Sequence, residues 1–212
     1  MKSNNRLLAR QGSEEHLQWL KKYWLDRTKT LKPERLVQEI AQTVDRLEQE
    51  RIRDPLTGAF NRVILGVVLK QQKWGVVLAD IDHFKSVNDE EPDGHVAGDR
   101  VLVEFVKLLG EITGPDSIVA RWGGEEFITL IPHIDKLGLQ EIAVRVGQAV
   151  RVQLAKKSKL VRNQITASLG ARMVRKTEKF MDVISAIDKL LYQAKKTGRN
   201  KLVMEHTVVP FG

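Results

Sequence analysis

The chain has 212 residues, of which 42% are hydrophobic and 29% charged, and its net charge is +8. This apolar content is sufficient for a folded core, which excludes a chain that is disordered throughout. Because there is no cysteine, disulfide bridges, thiolate metal sites and cysteine nucleophiles are excluded. No apolar run approaches the roughly 18 residues of a membrane helix, and the first ten residues lack the apolar core of a signal peptide. We therefore expect a cytoplasmic protein without membrane insertion.

The positive charge has two interpretations. It can belong to a solvated basic surface, or it can serve to bind a polyanion. Nucleic acid is the usual polyanion, but the sequence has no zinc-finger spacing and no basic stripe with interleaved aromatic residues. We therefore expect no nucleic-acid partner, whereas a polyphosphate substrate would use the same charge.

Residues 1–52 are polar, poor in glycine and helical in period. Ser13 can begin a first helix, and Pro33 suits the first turn of a second one. Hydrophobic residues with the 3-4-3 spacing of a coiled-coil seam follow in the second helix: Val37, Ile40, Val44 and Leu47. About two heptads do not decide between a dimerising stalk and a helix packed on its own domain. We favour the stalk, with a regulatory protein as a candidate partner of these helices.

From Arg53 onward, short β-branched runs alternate with amphipathic segments. The patterns predict strands at 74–82, 118–122, 127–132, 165–174 and 201–204, and helices at 63–71, 96–112, 137–154 and 180–195. Strands that alternate with helices and include one hairpin favour a single α/β domain with a mixed sheet. We expect this domain at 53–206, followed by a tail at 207–212.

A pair of aspartates ends the first long strand. The run from Val76 to Ala79 predicts a strand buried on both faces, and Asp80, Ile81 and Asp82 follow it. A carboxylate at the end of a buried strand needs a compensating partner. Mg²⁺ is one candidate, because two carboxylates with a main-chain carbonyl between them offer hard oxygen ligands. A helix cap or a salt bridge explains the pattern about equally well.

Two glycines and two glutamates form the next signal. Gly123 and Gly124 lie between two β runs and predict a hairpin turn, and Glu125 and Glu126 follow them. Neighbouring residues of a strand point to opposite faces, so one glutamate can face a metal shared with Asp80. An exposed acidic turn is the alternative.

Basic residues lie at the end of the last helix. Gly198 is a natural helix stop, Lys195 precedes it by three residues, and Arg199 follows it. Interaction with the helix dipole accounts for such residues. Two phosphate-binding groups that point into one site, with the arginine bidentate, account for them equally well.

The combination and order of these segments make residues 53 to about 204 resemble the GGDEF family of diguanylate cyclases. The signature turn at 123–127 is Gly-Gly-Glu-Glu-Phe. The supporting segments are RDPLTGAFNR at 53–62, DIDHFK at 80–85, Asn88, Gly94-His95, Gly98-Asp99 and TASLG at 166–170.

The resemblance implies an α/β fold with a mixed, palm-like sheet similar to the palm of polymerases. It implies condensation of two GTP molecules into cyclic di-GMP with release of two pyrophosphates, dependent on Mg²⁺, for which Mn²⁺ can substitute. Each domain would bind one GTP, so that turnover would require a homodimer.

The resemblance also implies roles for individual residues. Asp80, the Ile81 carbonyl, Glu125 and Glu126 would hold the metal, and Glu125 or the metal would help to deprotonate a ribose 3′-hydroxyl. The remaining residues would bind the nucleotide. Phe84 and Lys85 would contact the triphosphate, Lys195 and Arg199 the β- and γ-phosphates, and Asn88 and Asp99 the guanine edge, while Gly123 and Gly124 leave room for the nucleotide and His95 supports its loop.

Two features depart from the family. Gly114 and Ser117 stand where many members carry an Arg-x-x-Asp product-inhibition site, so we expect that site to be missing. The segment from Asn88 to Asp99 is about two residues longer than usual, which affects the guanine contact rather than the phosphate site. The rival hypothesis is a catalytically weak module that binds GTP or cyclic di-GMP as a sensor or scaffold. The intact signature turn favours the enzyme.

Overall fold

The computed structural model describes residues 52–212 except 70–72, 162–163 and 176, together with five isolated residues nearer the N-terminus. The chain divides into two compact units, residues 1–51 and 52–212. In the first unit the described residues are all helical and exposed: Gln18, Lys22, Arg35, Gln38 and Gln42. The predicted helix starts and the four seam positions lie outside the described residues. No helix in the described part is long and apolar enough to cross a membrane.

The described part of the second unit forms one sheet with helices on both faces. Its strands are β1 (Phe60–Asn61), β2 (Trp74–Ile81), β3 (Ile118–Arg121), β4 (Glu126–Pro132), β5 (Ala167–Val174), β6 (Lys201–Met204) and β7 (Thr207–Pro210). Its helices are α1 (Val63–Val68), α2 (Phe84–Glu90), α3 (His95–Thr113), α4 (Lys136–Ala149), α5 (Ala155–Lys157) and α6 (Phe180–Lys196). A π-helical segment, Val150–Leu154, joins α4 to α5.

The sheet has the strand order β1-β3-β4-β2-β5-β6-β7. The central strand β2 pairs antiparallel with both β4 and β5. The pairs β1–β3 and β5–β6 are parallel. The mixed α/β sheet predicted from the sequence is therefore confirmed.

Strand β2 is buried along its whole length. Its side chains point alternately to the two faces of the sheet, and each face is covered by its own layer of the core. Val77 and Ala79 face the layer that contains α3 and α4. Val76 and Leu78 face the layer that contains α1 and α6. Because side chains two residues apart share a face, Asp80 continues the second row and points to the α6 side.

The end of the chain differs from the expected tail. Residues 207–210 form β7, which pairs antiparallel with the otherwise open edge of β6. Phe211 is only 3% exposed and belongs to the larger core cluster. Its ring lies where a side chain on Gly147 of α4 would project. The domain therefore extends to Phe211 rather than ending at residue 206, because the buried ring contributes apolar surface to the core.

Candidate functional site

Strands β2 and β4 bring two acidic side chains together at one end of the sheet. Asp80 lies directly opposite Glu126 in the β2–β4 register. Asp80 is 4% exposed, and Ser168 of β5 lies opposite it on the other side. Directly opposite residues of adjacent strands place their side chains on the same face. Both carboxylates therefore follow the apolar layer on the α6 side.

Lys195 of α6 reaches this acidic pair. Its Nζ donates a hydrogen bond to Asp80 Oδ2 at 2.6 Å and lies 4.0 Å from Glu126 Oε1. Burial raises the pKa of Asp80 to about 6, against the effect of Lys195 and with a further contribution from Glu125 and Glu126. Burial also raises the pKa of Glu125, which Lys195 lowers and Glu126 raises. Carboxyl groups with pKa values raised in this way are typical of proton-transfer and metal sites.

The donor set at this end of the sheet fits a hard divalent cation. Asp80 and Glu126 supply carboxylate oxygens. Ile81 follows Asp80 as the last residue of β2, and its N–H donates to the Glu125 carbonyl at 3.4 Å. Within the described residues no three His, Cys, Asp or Glu side chains are grouped to hold a metal ion by themselves. A partial set of oxygen ligands, completed by water and phosphate, is how proteins usually bind Mg²⁺.

A cavity of about 380 Å³ opens beside Glu125, between the glycine turn and the helices α2 and α3. Its volume falls within the range of small-ligand pockets, about 300–1,000 Å³. Seven of the predicted site residues line it: Phe84, Lys85, Asn88, His95, Asp99, Gly124 and Glu125. Leu102 and Arg121 complete the lining. The two adjacent glutamates thus have different nearest surroundings: Glu125 lines the cavity, and Glu126 lies opposite Asp80.

The longer segment between Asn88 and Asp99 does not separate these two residues. Asn88 lies in α2, and its Oδ1 occupies the space that a side chain on Gly98 would need. After α2 the chain turns back through Glu91, whose buried carboxylate accepts a hydrogen bond from the Val161 N–H at 2.8 Å. With the longer segment in place, both predicted guanine contacts line the same cavity.

An arginine that the sequence argument missed fixes the glycine turn. The Arg121 guanidinium donates to the carbonyl oxygens of Gly123 and Gly124 at 2.7–3.2 Å. Its Nη1 also donates to both carboxylate oxygens of Asp54 at 3.1 and 3.2 Å. Asp54 in turn accepts hydrogen bonds from the N–H and hydroxyl of Thr57. The Asp-x-x-Thr spacing was the available signal, but its partner lies 67 residues away.

Asp82 does not join Asp80 at the acidic pair. It is 5% exposed, and its Oδ1 accepts a hydrogen bond from the Ser168 hydroxyl at 2.7 Å. Its Oδ2 accepts from the Thr166 hydroxyl at 2.7 Å and from the Asn200 N–H at 3.0 Å. The hypothesis that Asp80 and Asp82 act as two ligands of one ion is therefore not supported by their contacts.

Arg199 follows α6, and Gly114 and Ser117, the two positions that depart from the Arg-x-x-Asp pattern, follow α3. Arg199 is exposed in the turn after α6, with a left-handed φ of 61°. Gly114 follows α3 with a φ of 90°, and the Ser117 hydroxyl donates to the Thr113 carbonyl at 2.8 Å. Neither Gly114 nor Ser117 therefore presents a group like those of an Arg-x-x-Asp site.

Comparison with known proteins agrees with this arrangement. A family model described as "Diguanylate cyclase, GGDEF domain" matches residues 51–201. The probable diguanylate cyclase DgcT of Escherichia coli K12 is 35% identical over 165 residues, which cover 74% of this chain and 36% of that protein. The chain therefore spans little more than a third of the length of this relative.

Solved structures show the same fold. Diguanylate cyclase SiaD from Pseudomonas aeruginosa, in complex with its activator SiaC, is 30% identical with a TM-score of 0.66, covering 97% of this chain and 79% of that chain. The coiled coil and GGDEF domain of DgcB from Caulobacter crescentus, in complex with c-di-GMP, has a TM-score of 0.72 at 24% identity, covering 88% of this chain and 99% of that chain. The second likeness concerns the fold alone.

Proposed function

Since the chain belongs to the GGDEF family of diguanylate cyclases, we propose that it condenses two molecules of GTP into cyclic di-GMP and releases two pyrophosphates. The observation that carries this proposal is the pairing of Asp80 with Glu126 at the sheet end, beside a cavity lined by Glu125, Asn88 and Asp99. This arrangement puts acidic groups next to a space of nucleotide size.

In this proposal Asp80, the Ile81 carbonyl, Glu125 and Glu126 hold Mg²⁺, and Mn²⁺ can take its place. When bound, the ion lowers the pKa of the attacking hydroxyl and neutralises the charge of the leaving pyrophosphate. The raised pKa of Asp80 supports this assignment, because a buried carboxylate is stabilised by a cation. Lys195 supplies that cation in the ligand-free protein.

The reaction joins the ribose 3′-oxygen of one GTP to the α-phosphorus of another. The bond to the bridging oxygen of pyrophosphate breaks, and the 3′-hydroxyl loses its proton. Glu125 is the candidate acceptor of this proton, because a carboxyl with a raised pKa has more affinity for it near neutral pH. The same step, with the two nucleotides exchanged, closes the ring.

The other site residues hold the substrate. Asn88 and Asp99 bind the guanine edge, and the main chain of Phe84 and the Lys85 side chain contact the triphosphate. Lys195 and Arg199 hold the β- and γ-phosphates once the nucleotide competes with Asp80 for Lys195. Gly123 and Gly124 let the nucleotide lie against the backbone, and His95 supports the loop beside it. Holding the reacting atoms in line supplies much of the acceleration.

One GTP for each domain means that two chains must face each other, so the active form is a homodimer. The helical segment at 1–52 is the candidate dimerisation element. It is also the candidate docking site of a regulatory protein, since the structural relative SiaD was solved with an activator. Removal of residues 1–50 should therefore lower the rate most strongly at low protein concentration.

The primary product-inhibition site is absent in this proposal. Gly114 and Ser117 offer neither a guanidinium nor a carboxylate for a bound cyclic di-GMP. Initial rates measured with added cyclic di-GMP should stay constant. Inhibition that disappears when Gly114 or Ser117 is substituted would contradict this part of the proposal.

The central test is incubation of the full chain with GTP and Mg²⁺, followed by chromatographic resolution of the nucleotides. The wild type should convert GTP to cyclic di-GMP and pyrophosphate, and E126Q and D80N should each lose activity by at least about a hundredfold. D188N, which changes an exposed carboxylate on α6, is the matched control and should keep full activity. Unchanged GTP from a confirmed dimer would instead favour a sensor or scaffold that binds GTP or cyclic di-GMP without turnover.

A further inference from the structure

The turn that follows α6 has an unusual backbone. Gly198, Arg199 and Asn200 have φ values of 109°, 61° and 48°. A left-handed conformation is unfavourable for most residues that carry a side chain, and here Arg199 and Asn200 adopt it one after the other. A strained turn of this kind persists only where surrounding contacts determine it.

Three long-range or capping hydrogen bonds determine this turn. The Arg199 N–H donates to the Ala194 carbonyl at 3.0 Å, which closes the end of α6. The Asn200 carbonyl accepts from the Phe211 N–H at 3.1 Å. The Asn200 N–H donates to Asp82 Oδ2 at 3.0 Å. Among these, the bond to Asp82 attaches the turn to the end of β2.

Asp82 is itself held rigidly. Its two oxygens accept from the Ser168 and Thr166 hydroxyls, and its own N–H donates to the Thr166 carbonyl at 2.9 Å. Since Asp82 is buried and lies two residues after Asp80, it links the acidic pair to the turn that carries Arg199. A carboxylate that accepts three hydrogen bonds has little capacity left for a metal ion.

We propose that Asp82 is the positioning residue of the phosphate-binding turn, and that it acts through Arg199 rather than as a metal ligand. This inference rests on the proposed function, since it takes GTP as the ligand of Arg199. Asp82 holds the Asn200 N–H, and this bond keeps Arg199 in the conformation from which its side chain engages the triphosphate.

Substitution of Asp82 by asparagine distinguishes a positioning residue from a metal ligand. In D82N the amide oxygen can still accept from Asn200 and Thr166, while the amide nitrogen donates to the Ser168 hydroxyl. The geometry survives and only the charge is lost. A positioning role therefore predicts that D82N keeps its affinity within about threefold while D82A does not, whereas a metal ligand would lose affinity equally in both.

The experiment measures binding of α,β-methylene-GTP, which cannot release pyrophosphate, in Mg²⁺ and in EDTA. D82A should bind about tenfold more weakly in both conditions, which corresponds to about 1.4 kcal/mol. In the R199A background D82A should add less than about twofold, because coupled residues are not additive. T166V, which removes one donor to Asp82 but leaves the Asn200 bond, is the matched control and should stay close to the wild type.

Hydrogen exchange gives a readout that does not need nucleotide. D82A should raise the exchange rate of the amides at 197–200 at least about tenfold over that of T166V. Unchanged exchange in D82A would overturn the proposal, and so would a full loss of affinity in R199A/D82A beyond that of R199A. If D82A does not fold, nucleotide binding by D82N tests the proposal by itself. Affinity that is lowered in Mg²⁺ but not in EDTA would make Asp82 a metal ligand and overturn the proposal. A wild type that makes no cyclic di-GMP would contradict the proposed function, while the exchange result would still test the role of Asp82 in the turn.

Discussion

The carboxylate of Asp80 destabilises the ligand-free protein, and its neutral counterpart D80N should be more stable. Asp80 is 4% exposed at the end of a fully buried strand. Its pKa is about 6, against an ordinary value of 3.8. Because the folded protein binds this proton more tightly than the unfolded chain does, ionisation of Asp80 costs stability increasingly as the pH rises above the unfolded pKa, and the cost is complete above the folded pKa. The Lys195 ion pair compensates only part of the effect of burial.

The magnitude follows from the two pKa values. Their difference, at about 1.4 kcal/mol for each pH unit, gives about 3 kcal/mol at pH 7. The cost falls to about half at pH 5 and to about a fifth at pH 4, where the unfolded chain also binds the proton in part. D80N has the same shape as the protonated acid, so it should exceed the stability of the wild type by up to these amounts.

Urea unfolding of both proteins in EDTA at pH 7 and pH 5 measures the difference. D188N removes an exposed carboxylate and should change the free energy of unfolding by no more than about 0.5 kcal/mol. Added Mg²⁺ should stabilise the wild type but not D80N, because a ligand stabilises only the form that binds it. D80N should also be inactive, so that stability and activity change in opposite directions.

The reasoning would be refuted if D80N were no more stable than the wild type at pH 7 in EDTA. In that case the ion pair between Lys195 and Asp80 would outweigh the effect of burial, and the site would be a structural salt bridge. A stability gain that is equally large at pH 7 and pH 5 would be a second contradiction, because it would not arise from the titration of Asp80.

Three further substitutions test other parts of the structure. R121A removes the donors to the Gly124 carbonyl and should lower the rate of cyclic di-GMP formation at least about tenfold, with R121K losing most of this rate as well because lysine lacks the forked donor set. G98A places a methyl group where the Asn88 side chain lies; steady-state kinetics should show a KM for GTP raised about tenfold with kcat nearly unchanged. F211A should lower the free energy of unfolding by about 3–5 kcal/mol in a denaturant titration, and a loss below about 1 kcal/mol would mean that the chain end is a tail after all.

The sequence predicted the elements whose hydrophobic pattern corresponds to burial in the core. The β-branched run before Asp80 predicted a strand buried on both faces, and the structure has β2 buried throughout. The glycine pair predicted a turn between two strands, which β3 and β4 form. Both features lie at the same end of the sheet, where Asp80 is opposite Glu126. The sequence predicted that one of the two glutamates could face Asp80, but it did not indicate which.

The features that the sequence did not predict depend on long-range contacts. Helix α2 has seven residues, of which only Phe84 and Val87 are buried, so it is too short for a helical period to stand out. Strand β7 forms by pairing with the edge of β6, and the local sequence pattern does not indicate that this edge is open. The bond between Arg121 and Asp54 joins residues 67 positions apart. The contacts of Asp82 likewise depend on the register between β2 and β5.

Left-handed backbone conformations occur at the site end of the sheet, but they do not by themselves identify the site. His83 and Arg199 have left-handed φ values there, yet so do His133 and His206 in turns elsewhere. What distinguishes the site is that left-handed residues occur together with a buried carboxylate whose charge burial disfavours. Locally unfavourable choices are expected where function requires them. A left-handed turn can have a purely structural role, whereas Asp80, whose burial Lys195 compensates only in part, would be stabilised further by a bound cation.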